Sequence, residues 1–93
     1  MRLDKYLKVS RLIKRRTIAK EIADAGRITL NNIVAKSSSN VTINDILIIH
    51  YGNKKLTIKV TKIIDSTKKD DAKDMYEILN EEYMSNNESN RGD

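Results

Sequence analysis

The stretch RRTIAKEIADAGRITL, residues 15–30, contains the change from helical to extended spacing on which the predicted architecture depends. Four apolar residues within 18–23 recur at the i, i+1, i+4, i+5 spacing of one helix face. Thr17 is a predicted N-cap, and Gly26 stands where a helix-ending left-handed residue is favoured. From Arg27 onward the apolar period becomes two, which is typical of a strand. The sequence therefore predicts a helix followed directly by a strand.

The segment before this stretch does not fit one straight helix. Leu3 and Leu7 share a face, whereas Leu12 falls on roughly the opposite side at about 100° per residue. A break or turn near residues 8–10 is therefore predicted, with Asp4 suited to capping the short first helix.

The middle of the chain alternates apolar and polar residues between turn signals. Asn31-Asn32 and Asn44-Asp45 predict turns, Ile46–Tyr51 predicts a strand, and Gly52-Asn53 closes a predicted hairpin. A further alternating strand follows at residues 56–60. Three or four short strands after two or three short helices predict an α+β fold with a small antiparallel sheet.

The C-terminal third has a different composition. Residues 65–84 are predicted to form a polar linker and an acidic amphipathic helix, because apolar residues within 72–83 follow a helical stripe. This helix either packs on the domain or docks a protein partner. Residues 85–93 lack apolar content and are predicted to be disordered. The predicted organisation is thus a domain over 1–64, followed by these two segments.

Charge is distributed unevenly along the 93 residues, whose net charge is +5. Residues 1–27 hold nine basic and three acidic residues, whereas residues 70–93 hold two basic and eight acidic ones. Five of the six arginines lie in the first 27 residues, although the rest of the chain favours lysine. This placement indicates positions where the planar, five-donor guanidinium is needed, and a basic segment favours a polyanionic partner.

Several classes of protein are excluded by composition. The chain has no cysteine and one histidine, so disulfides, thiol nucleophiles and thiolate metal sites are excluded. His50 shares strand parity with apolar neighbours, and the three glycines are isolated, so neither a nucleophile–base pair nor a phosphate-binding glycine loop is indicated. The prediction is a protein without enzymatic activity, cofactor or metal, and with no membrane span.

The basic segment favours structured RNA over other polyanions. Arg15 and Arg16 stand at the start of the predicted second helix, where amide donors and the helix dipole attract phosphate. Reading duplex bases requires a long recognition helix, and stacking on single strands requires exposed aromatics, of which the chain has only four tyrosines. Short basic helices suit docking on folded RNA, and the hypothesis fails if their guanidiniums are tucked into intramolecular ion pairs or turned away from a shared surface.

The N-terminal sequence resembles a known RNA-binding module. The opening RLDKYLKVSRLIKRRT, residues 2–17, together with Gly26-Arg27-Ile28 and Asn44-Asp45-Ile46, is similar to the alpha-L RNA-binding domain of ribosomal small-subunit protein four. The resemblance covers residues 1–62. With the extension around residues 68–79, it is closest to the RqcP (YabO) family of stand-alone domains, paralogues of the fifteen-kilodalton heat-shock ribosome-binding protein.

This resemblance implies a cytoplasmic, ribosome-associated quality-control factor that is a monomer when free. Its implied partners are large-subunit rRNA, peptidyl-tRNA, the stalled large ribosomal subunit and RqcH, which adds alanine tails to nascent chains. Asp4 is expected to orient Arg2 or cap its helix. The positions expected to bind RNA are Arg2, Lys5, Lys8, Arg11, Arg15, Arg16, Thr17, Lys20 and Arg27.

Two departures and two alternatives accompany this resemblance. Asn32 and Asn44 stand where the family has glycine, and both turns are expected to survive because asparagine tolerates positive φ. The alternative functions are a heat-shock-type factor that recycles blocked large subunits without tailing, and a protein-interaction adaptor that uses the predicted C-terminal helix.

Overall fold

The computed structural model describes residues 1–65 and 68–83. Three helices and five strands follow one another in these ranges. In chain order they are α1 (Leu3–Val9), α2 (Arg16–Asp24), β1 (Ile28–Leu30), β2 (Ile33–Val34), β3 (Ile46–Tyr51), β4 (Lys54–Val60), α3 (Lys69–Ala72) and β5 (Tyr76–Tyr83). None of the described helices is long and apolar enough to cross a membrane.

The five strands form one antiparallel sheet in the order β2-β1-β3-β4-β5. One face of the sheet and the inner sides of α1 and α2 bury the core. Its fully buried members include Leu3, Leu7, Ala19, Ala23, Ile28, Leu47, Ile58 and Val60. The helices are therefore fixed on one face of the sheet by apolar burial, and the predicted α+β class with an antiparallel sheet is confirmed.

The predicted break after the first helix is confirmed. Helix α1 ends at Val9, and Ser10 follows as a buried C-cap. Arg11 then adopts φ 62°, and its N–H donates to the carbonyl of Lys8 at 3.1 Å. Arg11 thus occupies the left-handed position after a helix where glycine is usual, and the chain turns there toward α2.

Helix α2 begins earlier than predicted. The first helical hydrogen bond runs from Ala19 N–H to the Arg15 carbonyl at 3.0 Å, so Arg15 is the N-cap and Thr17 lies in the first turn. The prediction that Thr17 caps the helix is therefore wrong. The predicted end is confirmed, because Gly26 has φ 79° and the N–H of Arg27 reaches back to the Ile22 carbonyl at 3.2 Å.

Asparagine supports both turns that lack the glycine of the family pattern. Asn31, Asn32 and Asn44 have φ values of 53°, 71° and 77°, so the expectation that these turns survive is confirmed. The side chain of Asn31 also joins two segments, since its Oδ1 accepts the Ile46 N–H at 2.9 Å and its Nδ2 donates to Asp45 at 3.0 Å. These bonds connect the β1–β2 turn to the start of β3.

The predicted C-terminal helix is wrong, because Tyr76–Tyr83 is strand β5 and only Lys69–Ala72 is helical. Apolar burial, on which the helical prediction relied, is weak along β5: Ile78 and Leu79 remain 51% and 49% exposed. Pairing with the backbone of β4 stabilises the segment instead. A β-bulge at Leu79 interrupts the two-residue period and so disguises the strand in the sequence.

Strand β5 brings its acidic residues against the lysines of β4. Three cross-strand pairs, Lys54 with Glu81, Lys55 with Glu82 and Lys59 with Glu77, form what is called here the β4–β5 ladder. Lys54 Nζ lies 2.6 Å from Glu81, and this hydrogen bond is the main reason that the pKa of Lys54 lies above its ordinary value. The adaptor alternative is based on a C-terminal helix that the structure replaces with β5. The predicted disorder of 85–93 lies outside the described residues.

Candidate RNA-binding site

The starts of α1 and α2 are held together by one carboxylate. Asp4 is 3% exposed, and its oxygens accept the Nε and Nη2 donors of Arg2 at 3.2 and 3.3 Å. The Nη2 atom of Arg16 lies 3.5 Å from Asp4 Oδ1, and the backbone N–H of Lys5 donates to the same oxygen at 2.8 Å. Asp4, Arg2 and Arg16 are called the Asp4 cluster. The expectation that Asp4 orients Arg2 agrees with this geometry.

The ion pairs of the Asp4 cluster leave its arginines available to a ligand. One buried negative charge faces two positive charges, so the cluster keeps a net charge of +1. The side chains of Arg2 and Arg16 are 53% and 49% exposed. Each guanidinium has five N–H donors, of which Arg2 uses two and Arg16 one on Asp4. The cluster therefore presents two oriented, half-exposed guanidiniums on a common surface.

The connection between α1 and α2 places further cations beside two clefts. The first cleft, of about 540 Å³, is lined by Arg11, Leu12, Ile13, Lys14, Arg15, Ile18 and Tyr51. The second cleft, of about 440 Å³, is lined by Lys8, Arg11, Lys14 and Lys69. Arg11 and Lys14 line both, so the two clefts adjoin each other and are surrounded by positive charge.

The nine predicted RNA-binding residues fall into separate places. Arg2 and Arg16 meet at Asp4, while Lys8, Arg11 and Arg15 line the clefts. No described contact of their side chains joins the remaining four predicted residues to the Asp4 cluster or to the clefts. Lys5 pairs with Asp65 at 2.9 Å, and Thr17 and Lys20 are exposed on α2. Arg27 follows the far end of α2, which lies about 12 Å along the helix axis from Arg16.

Three residues of the site were missed by the sequence prediction. Lys14 and Tyr51 line the first cleft, and Lys69 lines the second. Lys14 continues the basic spacing of three that starts at Arg2, which is a signal in the sequence. No local signal marks Tyr51 or Lys69, because tertiary folding brings the end of β3 and the start of α3 to the α1–α2 connection.

The anchoring of α1 also involves a buried hydroxyl. Tyr6 is fully buried and donates its O–H to the Met75 carbonyl at 2.7 Å. Burial is the main reason that the pKa of Tyr6 lies well above its ordinary value, so this hydroxyl remains a donor. Helix α1, which contains Asp4 and directly follows Arg2, is thereby fixed to the segment just before β5.

The loop beyond β2 is held against α2 by a second acid. Asp24 accepts the backbone N–H of Ser37 at 3.1 Å, and this bond is the main reason that the pKa of Asp24 lies below its ordinary value. The same loop accepts the N–H of Leu3 through the Ser39 carbonyl at 2.8 Å. The start of α1 is therefore supported from the sheet side as well.

Comparisons with known proteins identify the family. The model of the S4 domain matches residues 1–47. A Streptococcus pneumoniae protein named RQC P-site tRNA stabilizing factor is 60% identical over 87 residues, which cover 94% of this chain and 99% of that protein. The chain belongs to the RQC P-site tRNA stabilizing factor family. The family predicted from the sequence is confirmed.

Other relatives agree with membership of this family. The Bacillus subtilis member is 57% identical over 84 residues, covering 90% of this chain and 98% of that protein. The trimeric structure of Vibrio cholerae heat shock protein 15 superimposes with a TM-score of 0.78 at 30% identity, covering 85% of this chain and 81% of that chain. Membership of the stabilizing-factor family supports a role in ribosome quality control and an RNA-binding site in the S4 domain.

Proposed function

We propose that the chain is a non-catalytic, cytoplasmic RNA-binding factor of bacterial ribosome-associated quality control. It binds large-subunit rRNA and P-site peptidyl-tRNA on stalled large ribosomal subunits and supports alanine tailing of nascent chains by RqcH. The names of the relatives support the P-site tRNA and the quality-control pathway. The observation in the molecule that best supports RNA binding is the Asp4 cluster, in which one buried carboxylate orients two half-exposed guanidiniums.

The geometry suits the backbone of folded RNA. A guanidinium donates two parallel hydrogen bonds to phosphate oxygens, and its orientation by Asp4 reduces the side-chain entropy lost on binding. Two such groups, fixed on separate helices, recognise phosphates at one relative position. An A-form stem offers that regular backbone, whereas a flexible single strand does not. The proposed site therefore selects RNA by shape, with affinity that falls as the salt concentration rises.

Removal of the arginines tests the proposal directly. We expect Arg16→Ala to weaken binding to isolated large subunits by about 1–3 kcal/mol, because charge-assisted hydrogen bonds are lost. Arg16→Lys should restore only part of this loss, since lysine keeps the charge without the planar fork. Co-sedimentation of the purified full chain with large subunits at several salt concentrations measures both effects.

A matched control removes the same charge elsewhere. Lys55→Ala deletes one cation of the β4–β5 ladder, where Glu82 lies opposite it. We expect this variant to bind large subunits like the wild type. Unchanged co-sedimentation of the Arg2→Ala/Arg16→Ala double variant would contradict the proposed site. If Lys55→Ala lost as much binding as Arg16→Ala, net charge alone would explain the effect.

The heat-shock-type role is the second candidate, and the structural similarity to Vibrio cholerae heat shock protein 15 favours it. The higher identity to stabilizing factors, 60% against 37% and 30% for two heat-shock relatives, favours the tailing role. Alanine tails on stalled nascent chains, compared with and without the gene and with the Arg2→Ala/Arg16→Ala variant, separate the two. Loss of tails supports the proposal, whereas normal tails with slower recycling support the alternative.

We also propose that the free chain is a monomer, since its net charge of +5 opposes self-association. The heat-shock relative has a trimeric structure. Light scattering from the purified chain at physiological salt measures the mass directly. A mass of three chains would contradict this part of the proposal.

A further inference from the structure

The two clefts beside the α1–α2 connection differ in chemistry although they share a wall. The lining of the first includes three apolar residues, Leu12, Ile13 and Ile18, and one aromatic residue, Tyr51, which is 48% exposed. The described residues that line the second are all lysine or arginine, and their aliphatic stems contribute most of its exposed surface. A flat, weakly polar group fits the first cleft, and an anion fits the second.

The shared wall contains a residue in an unusual conformation. Arg11 has φ 62°, a region that side chains larger than glycine enter at a cost. Glycine would end α1 at this position without that cost and would not line either cleft. Strained residues of this kind are concentrated at binding sites, where the rest of the structure supports them. The backbone here thus tolerates strain while placing a cation between the two clefts.

The clefts also adjoin the Asp4 cluster. Arg15 lines the first cleft, and the next residue, Arg16, contacts Asp4. Consecutive Cα atoms are about 3.8 Å apart, so the cluster and the first cleft depend on neighbouring positions at the start of α2. Acidic residues are missing from the described lining of both clefts, which favours an anionic ligand over a cationic one.

We infer that the paired clefts bind one unstacked nucleotide of structured RNA. The base lies against Tyr51 in the first cleft, and the adjoining phosphate lies among the cations of the second. The volume of the first cleft, about 540 Å³, falls within the range of about 300–1,000 Å³ found for small-ligand sites. Stacking on tyrosine accepts any base, so the site selects an extruded nucleotide rather than a sequence. This inference rests on the proposed RNA-binding function and adds to it a requirement for an unpaired nucleotide.

The test uses three hairpin RNAs and the full chain. One hairpin carries a single bulged 2-aminopurine, the second has an abasic site at the same position, and the third is fully paired. Binding is measured by fluorescence anisotropy, and base stacking by the quenching of 2-aminopurine. We expect the wild type to bind the bulged hairpin about 5- to 160-fold more tightly than the other two, the range that stacking of one base on an aromatic side chain provides.

Matched variants separate the cleft from general effects. Tyr51→Ala should bind all three hairpins equally and abolish quenching, whereas Tyr51→Phe keeps both. Tyr83→Ala removes another exposed tyrosine, 69% exposed and outside both clefts, and should behave like the wild type.

Arg11→Gly is the second informative variant, because it removes the cation and also relieves the left-handed backbone. We expect weaker binding to every hairpin with a thermal midpoint no lower than that of the wild type. Asn44→Gly relieves a left-handed residue away from the clefts and should leave binding unchanged.

Three results would overturn the inference. Equal affinity of the wild type for the bulged and abasic hairpins would show that the clefts bind phosphate but not the base. Equal binding of the bulged hairpin by Tyr51→Ala and Tyr83→Ala would contradict stacking on Tyr51. If Arg2→Ala/Arg16→Ala still weakened binding in that case, the proposed function would stand without the nucleotide site. Failure of the wild type to bind any hairpin or large subunit would overturn both.

Discussion

In the Asp4 cluster one carboxylate serves two guanidiniums, whereas in the β4–β5 ladder three lysines face three glutamates. The first arrangement leaves a net charge of +1, and the second is neutral. The net charge of the whole chain, +5, is therefore not spread evenly over its surface. Acidic residues of the C-terminal third neutralise the lysines of β4 and leave the α1–α2 surface as the basic one.

The two regions also differ in how firmly their charges are held. The side chain of Asp4 is 4% exposed, whereas that of Glu81 is 36% exposed. Water competes little for the hydrogen bonds of a buried carboxylate, so these bonds fix the geometry of their donors. Exposed ion pairs contribute little and rearrange easily. A buried acid thus orients cations for binding, whereas an exposed acid only neutralises their charge.

The largest effect is expected from Asp4→Asn, which raises the net charge by one yet removes the anchor of both arginines. We expect a loss of about 1–3 kcal/mol in the free energy of unfolding, because charge-assisted hydrogen bonds are lost, together with weaker binding to large subunits. Urea denaturation and co-sedimentation measure the two quantities. Glu81→Gln makes the same change in charge, and tighter binding by Asp4→Asn than by Glu81→Gln would break the comparison.

A smaller effect is expected from Tyr6→Phe, which removes the hydroxyl that joins the two regions. The buried hydrogen bond to Met75 is lost, but that carbonyl still accepts the Thr61 N–H at 3.0 Å. We expect a loss of about 0.5–1.5 kcal/mol in the free energy of unfolding. Denaturation monitored by the near-ultraviolet signal of the tyrosines gives the value. A change within experimental error would show that the α1 surface does not depend on this bond.

The smallest effect is expected for the exposed pair of the ladder. A double-mutant cycle of Lys54→Met and Glu81→Gln should give a coupling of about 0.2–1 kcal/mol at neutral pH. The raised pKa of Lys54 means that this contribution is complete below the ordinary lysine pKa and is lost as the pH rises through the folded value. Repeating the cycle at high salt and at alkaline pH measures how the coupling depends on ionic strength and on the protonation of Lys54. A coupling between Lys54 and Glu81 larger than that between Arg16 and Asp4 would show that the exposed pair is held more firmly than the buried one.

Much of the fold could be predicted because its signals are local. The break after α1, the end of α2 at Gly26 and the asparagine turns each depend on residues within a few positions. Strand β3 coincides with the predicted Ile46–Tyr51, since its alternation is bounded by turn residues on both sides. Local conformational preference and apolar period agree at these positions, so sequence alone suffices.

The parts that escaped prediction depend on contacts between distant residues. Strand β5 is stabilised by the backbone of β4, and the bulge at Leu79 hides its period. The sequence indicates Asp4 as a partner for Arg2, but the approach of Arg16, twelve positions away, follows from how α1 packs on α2. Tyr51 and Lys69 join the clefts only through the tertiary fold.

The bond between Tyr6 and Met75 spans 69 positions of the chain, and this separation has a consequence for biosynthesis. Residues near the N-terminus leave the ribosome first, so Arg2 and helix α1 are made long before Met75 is available. Asn40, which forms a single antiparallel β-bridge with Arg2, emerges earlier than Met75. A nascent chain truncated before residue 75 therefore carries Arg2 and helix α1 without the hydrogen bond that Tyr6 makes in the complete fold.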